Sequence, residues 1–356
     1  MKRRYLNLTA GAWRQLRRSW RPPSGGLLLW QSFVAGPLFA VLDKFQDAAV
    51  GARRDNVQLS GSIVILGYWR SGTTLLHELL CTDARYAYPT TYACMNPHHF
   101  ILTQSGRTAG QGRRARRPMD DVQIGAASPQ EDEFALLSLG VRSPYEALLF
   151  PSHFTDALAL SDPDELSPME REAWKTAFLK FVRGVSLSAD QRPVILKSPA
   201  HGCRIATLVK LLPNVRFVLI TRDPFAVFES AVRMWSSLFG IYAFEKAPSD
   251  DEIRAVVLAD RMRFEAKLTS GIGGLQPAQI VSVRYEELVR EPLRTLENVY
   301  AALELGDFAK VRGTVSAEIE RLGTYVARNE QPAGKWRERV ADEWRDIFAK
   351  YGYAAE

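Results

Sequence analysis

Cysteine is scarce in this chain: Cys81, Cys94 and Cys203 are the only three. An odd count, at separations that match no metal-ligand spacing, gives no disulfide framework or metal centre to expect and fits a reduced, cytoplasmic setting. The three thiols read as small buried hydrophobes. Long apolar runs are missing too. The longest, residues 27–42, is interrupted by Gln31, Ser32 and Pro37 and falls short of the roughly 20 residues a bilayer span requires. A secretory signal is disfavoured, because the basic stretch before that run is long and no clean small-x-small site follows. Acidic residues are absent from residues 1–21, which hold seven basic ones: Lys2, Arg3, Arg4, Arg14, Arg17, Arg18 and Arg21. No helix-turn-helix, finger or aromatic ribonucleoprotein signature occurs, so nucleic acid is not an expected partner. Internal repeats and low-complexity tracts are also absent from the sequence.

What is there suits a folded domain of some size. With 356 residues, 46% of them apolar, the chain can bury one large α/β core or two ordinary ones. A net charge of +6 favours anionic ligands or an anionic surface. In the basic N-terminal stretch Trp13, Leu16 and Trp20 recur at i, i+3 and i+7, the pattern of an amphipathic helix. That helix either lies on an anionic membrane surface or packs on the main domain. Residues 1–55 are taken as an N-terminal helical segment and 56–356 as the main domain.

The chain is organised around Gly67-Tyr68-Trp69-Arg70-Ser71-Gly72-Thr73-Thr74. The apolar run Ile63-Val64-Ile65-Leu66 leads into it, and a helix with Leu76, Leu79 and Leu80 on one face follows. Strand, glycine-bounded loop and helix make a phosphate cradle: the glycines allow a tight turn, loop N–H groups face an anion, and the positive end of the helix dipole lies beneath. The glycine spacing is that of a P-loop. Yet Thr73 stands where a nucleotide triphosphatase has its lysine, so the charge that reaches between the β- and γ-phosphates is missing. The loop's own cation is Arg70, whose planar fork suits a tetrahedral anion and keeps its proton near neutral pH. A plain strand-to-helix turn rich in small residues is the bland alternative.

The run Arg70-Ser71-Gly72-Thr73-Thr74-Leu75-Leu76 resembles the 5′-phosphosulfate loop of the P-loop sulfotransferase superfamily, enzymes that use 3′-phosphoadenosine 5′-phosphosulfate. Further matches follow in the family's order. Leu196-Lys197-Ser198-Pro199 resembles the strand-end lysine motif, Arg222-Asp223-Pro224 with Ser230 the 3′-phosphate motif, Arg284-Tyr285-Glu286-Glu287-Leu288 the Tyr-Glu segment, and Gly334-Lys335-Trp336 the C-terminal loop. The match spans residues 60–340 or so, and its strength is the ordered set. It implies that Arg70, Ser71, Gly72, Thr73 and Thr74 hold the 5′ end of the donor and Arg222 and Ser230 its 3′-phosphate, with Tyr285, Lys335 and Trp336 completing the donor site. It further implies Arg70 and Lys197 as catalytic cations, no obligatory metal, and a homodimer.

Strands are expected at 62–66, 193–197, 215–221 and 279–285, separated by helices such as 204–212, where Ile205, Leu208, Val209 and Leu212 share a face. Short apolar strands alternating with helices imply an α/β fold, a P-loop-type parallel sheet flanked by helices, in a single large domain with substrate-binding insertions. Ligands then gather at the carboxyl ends of the strands, where Arg70, Lys197 and Arg222 fall. Residues 85–170 interrupt the alternation and are expected to face the acceptor, as is the stretch 236–275, read as flexible with Asp250-Asp251 capping a helix through Leu268. An arginine cluster (Arg107, Arg113, Arg114, Arg116, Arg117) among glycines reads first as a solvated loop. Trp336, Val340, Trp344 and Ile347 outline one terminal amphipathic helix.

The acceptor needs a general base, and several candidates stay open: His98 and His99, His201, and Glu131 or Glu133. In cytosolic-type members of the family a histidine follows the strand-end lysine by two residues; here Pro199 occupies that position and His201 comes two later. Tyrosylprotein and heparan-type members draw a glutamate from the segment after the loop helix. Histidine suits the task untuned, whereas a glutamate needs burial to raise its pKa. The expected function is sulfuryl transfer to a hydroxyl or amine of a small-molecule or lipid-like acceptor, at or near an anionic membrane surface on the cytoplasmic side. Two rivals are a P-loop kinase using ATP and magnesium, with Asp223 as metal ligand, and a non-catalytic peripheral membrane protein that keeps a nucleotide-binding fold. Thr73 weighs against the first, and intact Lys197, Arg222 and Ser230 against the second.

Overall fold

A computed structural model describes residues 7–20, 34–104, 115–116, 123–323 and 331–355. Nearly all of the arginine cluster and the first part of the interrupted apolar run lie outside the described residues. The principal elements are α1 (Ala10–Trp20), α2 (Gly36–Asp55), β1 (Ile63–Leu66), α3 (Thr73–Leu80), α4 (Glu133–Leu139), α5 (Pro168–Leu187), β2 (Ile195–Lys197), α6 (Ile205–Leu211), β3 (Arg216–Thr221), α7 (Pro224–Tyr242), α8 (Asp250–Gly273), β4 (Ile280–Arg284), α9 (Pro292–Ala302), α10 (Ala309–Leu322), α11 (Lys335–Glu343) and α12 (Arg345–Tyr351).

The four strands form one parallel sheet in the order β2-β1-β3-β4, with Ile65 opposite both Lys197 and Val218, and Thr221 opposite Arg284. Successive side chains of a strand point to opposite faces. Accordingly Ile63 and Ile65 join Leu76, Leu79, Leu296 and Val299 on one side, whereas Val64 and Leu66 join Phe217, Leu208 and the aromatic core on the other. Both faces are covered, which is why β1 can be apolar at every position. The expected strands all form, one or two residues shorter at their ends, and the P-loop-type α/β architecture is the one observed. On α6 Ile205 and Leu208 are buried, but Val209 is 38% exposed and falls off that face.

Three local expectations are corrected. The cap of α8 is Ser249, in a capping box with Glu252, so Asp250 and Asp251 occupy the first turn, and the helix runs past Leu268 to Gly273. Most of the stretch read as flexible is thus a long helix with buried positions from Ile253 to Leu268. The C-terminal pattern makes two helices, because the chain leaves helical geometry at Trp344, whose buried indole donates to the Leu258 carbonyl at 3.0 Å. At the N-terminus, Ala12, Trp13 and Leu16 of α1 are core residues. Trp20 donates to Glu146 and stacks on His153 with ring centroids 4.4 Å apart. The apolar face of α1 is therefore packed on the main domain. No described helix is long and apolar enough to cross a membrane.

Candidate functional site

The site begins with the loop after β1. Gly72 has φ +95°, and a Cβ there would fall 2.2 Å from the Tyr285 ring, so both the backbone twist and the close approach demand glycine. Gly67 is equally confined, since a Cβ would meet Thr73 Cγ2 at 2.8 Å and the Ile220 carbonyl at 2.9 Å. Arg70 also lies in the left-handed region, φ +72°, a costly conformation for a residue with a side chain and one that clusters at ligand sites. The Ser71 N–H donates to the Tyr68 carbonyl at 3.1 Å, closing the turn. Ser71 and Thr73 are buried in it, with Thr74 next along α3, whose first turn has no side-chain cap, leaving N–H groups without a partner inside the helix.

At the end of β3 the donor-site candidates meet. Arg70 Nε donates to Ser230 Oγ at 2.9 Å, and Arg222 Nη1 donates to the Arg70 carbonyl at 3.2 Å. The Arg222 guanidinium lies 4.6 Å from the Tyr285 ring centroid, a cation–π contact. The motif after β4 contributes a second support: Glu286 accepts from the Asp223 N–H at 3.0 Å and from the Tyr353 hydroxyl at 2.8 Å. Asp223 itself caps α7 by accepting from the Ala226 N–H at 2.8 Å. Three segments far apart in sequence thus place Arg70, Arg222, Ser230 and Tyr285 in one cluster.

Lys197 ends β2 on the other side of β1. It is 2% exposed, and its Nζ donates to Glu131 Oε1 at 2.6 Å. Tyr145 donates its hydroxyl proton to the other oxygen of Glu131. Burial, reinforced by the Glu131 charge, pushes this phenol well above its ordinary pKa, so it stays protonated and remains a donor. Glu131 opens an acidic triplet whose three members meet Lys197, His201 and Arg204 in turn. Asp132 Oδ1 is 3.0 Å from His201 Nε2, both fully buried, and Arg204 Nη1 donates to Glu133 Oε2 at 2.6 Å. Burial raises the Asp132 carboxyl, but the His201 charge and hydrogen bond prevail and hold it below the usual range. Beneath Lys197, His77 of α3 is buried. Desolvation, and then the Lys197 charge, bring its pKa down to about 3 and keep the ring neutral.

Of the base candidates, only Glu131 touches Lys197. His201 is committed to Asp132, and Glu133 to Arg204. His98 is buried at a joint between the N-terminus and α2: Nε2 lies 2.8 Å from the Asn7 carbonyl, and its ring packs on Phe39 at 5.4 Å. His99 Nδ1 is 3.0 Å from Thr103 Oγ1. The structure does not bring either histidine to the lysine. Lys335 and Trp336 are anchored to Asp251 of α8, at 2.8 Å and 3.0 Å. The cysteines are free, and burial raises all three thiols, Cys203 to about 12, so none is poised as a nucleophile.

Two residues escaped the sequence reading. Tyr145 lies inside a Ser143–Glu146 capping box, a signal for a turn but not for its partner in Glu131. Arg261, on α8, lines a cleft with Ser71, Thr221 and Arg222; its guanidinium stacks on Tyr68 at 5.1 Å and pairs with Glu265 at 2.8 Å. Its i,i+4 acidic partner makes it look in sequence like an ordinary surface-helix arginine.

Comparisons with known proteins agree with this geometry. A family model described as "Sulfotransferase family" matches residues 62–309. The omega-hydroxy-beta-dihydromenaquinone-9 sulfotransferases Stf3 of Mycobacterium bovis and Mycobacterium tuberculosis are each 32% identical over 326 residues, covering 91% of this chain and 80% of theirs. Among solved structures, sulfotransferase STF9 from Mycobacterium avium aligns with a TM-score of 0.65 at 15% identity, covering 98% of both chains. Sulfotransferase STF1 from Mycobacterium tuberculosis aligns with a TM-score of 0.61 at 19% identity, over 94% of this chain and 93% of that one.

Proposed function

The chain belongs to the sulfotransferase family, and on that premise we propose that it moves the sulfuryl group of 3′-phosphoadenosine 5′-phosphosulfate onto a hydroxyl of a largely apolar, lipid-like acceptor at an anionic membrane surface. The observation that carries the reading is the convergence of Arg70, Arg222 and Ser230 on one side of β1 and the Lys197–Glu131 pair on the other. The Stf3 relatives, named for a hydroxylated menaquinone, support the acceptor class.

In such a transfer the acceptor oxygen bonds to sulfur as the bond from sulfur to the 5′-phosphate oxygen breaks, so negative charge grows on the leaving phosphate. The loop N–H groups, Arg70 and Lys197 meet that charge; Arg222 and Ser230 hold the 3′-phosphate and fix the donor in line. Glu131 takes the acceptor's hydroxyl proton. Tyr145 and Lys197 aim it, and the pairing of Asp132 with His201 and of Glu133 with Arg204 locks the segment that carries it. Residues 85–170, which supply Glu131 and Tyr145, are then the acceptor-facing insertion.

Thermal unfolding with adenosine 3′,5′-bisphosphate, against ATP with magnesium, tests the donor assignment. Ligand at about 100 times Kd adds roughly 2.7 kcal/mol, a readable shift. A shift with the bisphosphate that vanishes in Arg222→Ala is expected, followed by labelled sulfate transfer to hydroxylated quinone lipids. A shift with ATP and magnesium alone would restore the kinase reading.

A further inference from the structure

Helix α2 is amphipathic the wrong way round for a globular surface. Three of its charges turn toward the protein: Asp43 and Asp47 both bind Lys180 of α5 at 2.8 Å, Arg54 binds Asp47 at 2.5 Å, and the buried Gln46 donates to the Pro97 carbonyl while accepting from the Ile101 N–H. Its apolar side chains, with Val34 just before its first residue, face outward. Val34, Leu38, Val41 and Phe45 are 54%, 55%, 63% and 65% exposed. They recur at i, i+4, i+7 and i+11, a single stripe about 17 Å long at 1.5 Å per residue. A continuous exposed apolar stripe on an otherwise well-packed chain marks an interaction surface.

We propose that this stripe docks in the plane of an anionic phospholipid membrane, an inference that rests on the lipid-acceptor reading above. Charge selects this occupant. Asp43 and Asp47 lie opposite the stripe and are held there by Lys180, while the exposed Lys44 and Arg53 flank it. Helix α1 packs against α2 and exposes Arg14, Arg17 and Arg18. An apolar stripe too short to span, flanked by exposed cations, with Asp43 and Asp47 on the opposite face and the exposed Asp55 paired to Arg54 beyond its end, is the composition of an interfacial helix. It also assigns the membrane contact to α2, since the apolar face of α1 is spent on the core.

The test is flotation of the full chain with vesicles of phosphatidylcholine and phosphatidylglycerol in equal parts, against phosphatidylcholine alone, for the wild type and a Leu38→Glu/Phe45→Glu variant. The wild type is expected to float with the anionic vesicles, less so at high salt, and the variant to lose about tenfold or more of that partition. The variant should keep its thermal shift with adenosine 3′,5′-bisphosphate and its turnover on a short, water-soluble hydroxylated acceptor. No flotation of the wild type, or equal flotation of the two proteins, overturns the proposal. So does a wild-type dimer in sedimentation equilibrium that the variant converts to monomer, because the stripe would then cover a second copy. Failure of the bisphosphate shift in the wild type would instead strike at the donor assignment, which the flotation result does not depend on.

Discussion

At the scale of single residues, the Lys197–Glu131 pair is the most exacting feature of the site. Both groups are largely withdrawn from water, so removing one leaves the other charge uncompensated. Lys197→Ala should lower turnover by about a hundredfold or more, the loss typical of one preorganised donor, while the bisphosphate still shifts the melting temperature. Glu131→Gln keeps the shape and one of the two accepting oxygens but cannot take a proton, and it should lower kcat with little change in donor affinity. Steady-state kinetics of both variants beside His98→Ala and His99→Ala checks the assignment; a normal rate in Glu131→Gln with a collapsed rate in either histidine variant would reverse it. The sequence left this choice open for a physical reason. Lys197 was legible because an apolar strand ends on it, but its partner lies 66 residues earlier in the chain. Nothing in three consecutive acids says which of them meets the lysine. That depends on how the segment crosses the strand end, which no local periodicity encodes.

Secondary-structure elements were far more legible than residue partnerships. The strands and α3 announce themselves through runs and faces of apolar residues, and the loop through its two glycines, because each of those signals is local. The exceptions were terminations: Ser249 outcompeted two aspartates as the cap of α8, and Trp344 broke a pattern that looked continuous. The loop offers the sharpest prediction at this scale. Gly72→Ala puts a methyl group into the Tyr285 ring and a side chain at φ +95°, so the loop must shift. Donor-site geometry should then fail before the fold does: the thermal shift with adenosine 3′,5′-bisphosphate is expected to disappear, while the far-ultraviolet circular dichroism of the apo protein stays unchanged. Tyr285→Ala, which clears the ring from above Gly72 but also strips the cation–π partner of Arg222, should weaken the same shift without abolishing the fold. A Gly72→Ala protein that binds the bisphosphate normally would mean that the loop tolerates rearrangement and does not set the anion site.

Considered as a whole molecule, the chain carries a net charge of +6 yet buries an unusual number of ionisable groups around its sheet, and this sets its response to acid. His77 is held neutral by burial and then by the Lys197 charge, with its pKa lowered from 6.5 to about 3; His98 is shifted the same way, chiefly by burial. Between those limits the unfolded chain binds a proton at His77 that the folded protein refuses. More protons on the unfolded side mean that stability rises with pH through the window and is lost as pH falls below about 6.5. Each such histidine contributes a slope of at most about 1.4 kcal/mol per pH unit. The Asp132 carboxyl, depressed below 3.8 in the folded state, acts lower down: its stabilisation is present above 3.8 and is lost below it, as pH falls toward and through the lower folded value. The two effects therefore separate on the pH axis. Urea unfolding at a series of values from pH 7.5 to 5.5 should show stability falling through the histidine window, above the range of the depressed carboxylates and opposed by Glu146 and Asp260, whose carboxyls burial raises. His77→Gln, which keeps a polar group of similar size but cannot be protonated, should flatten that slope by about one proton. A His77→Gln protein with the wild-type slope would place the acid sensitivity elsewhere, with His98→Gln the next variant to measure, and would mean that the buried site beside Lys197 admits a charged imidazole after all.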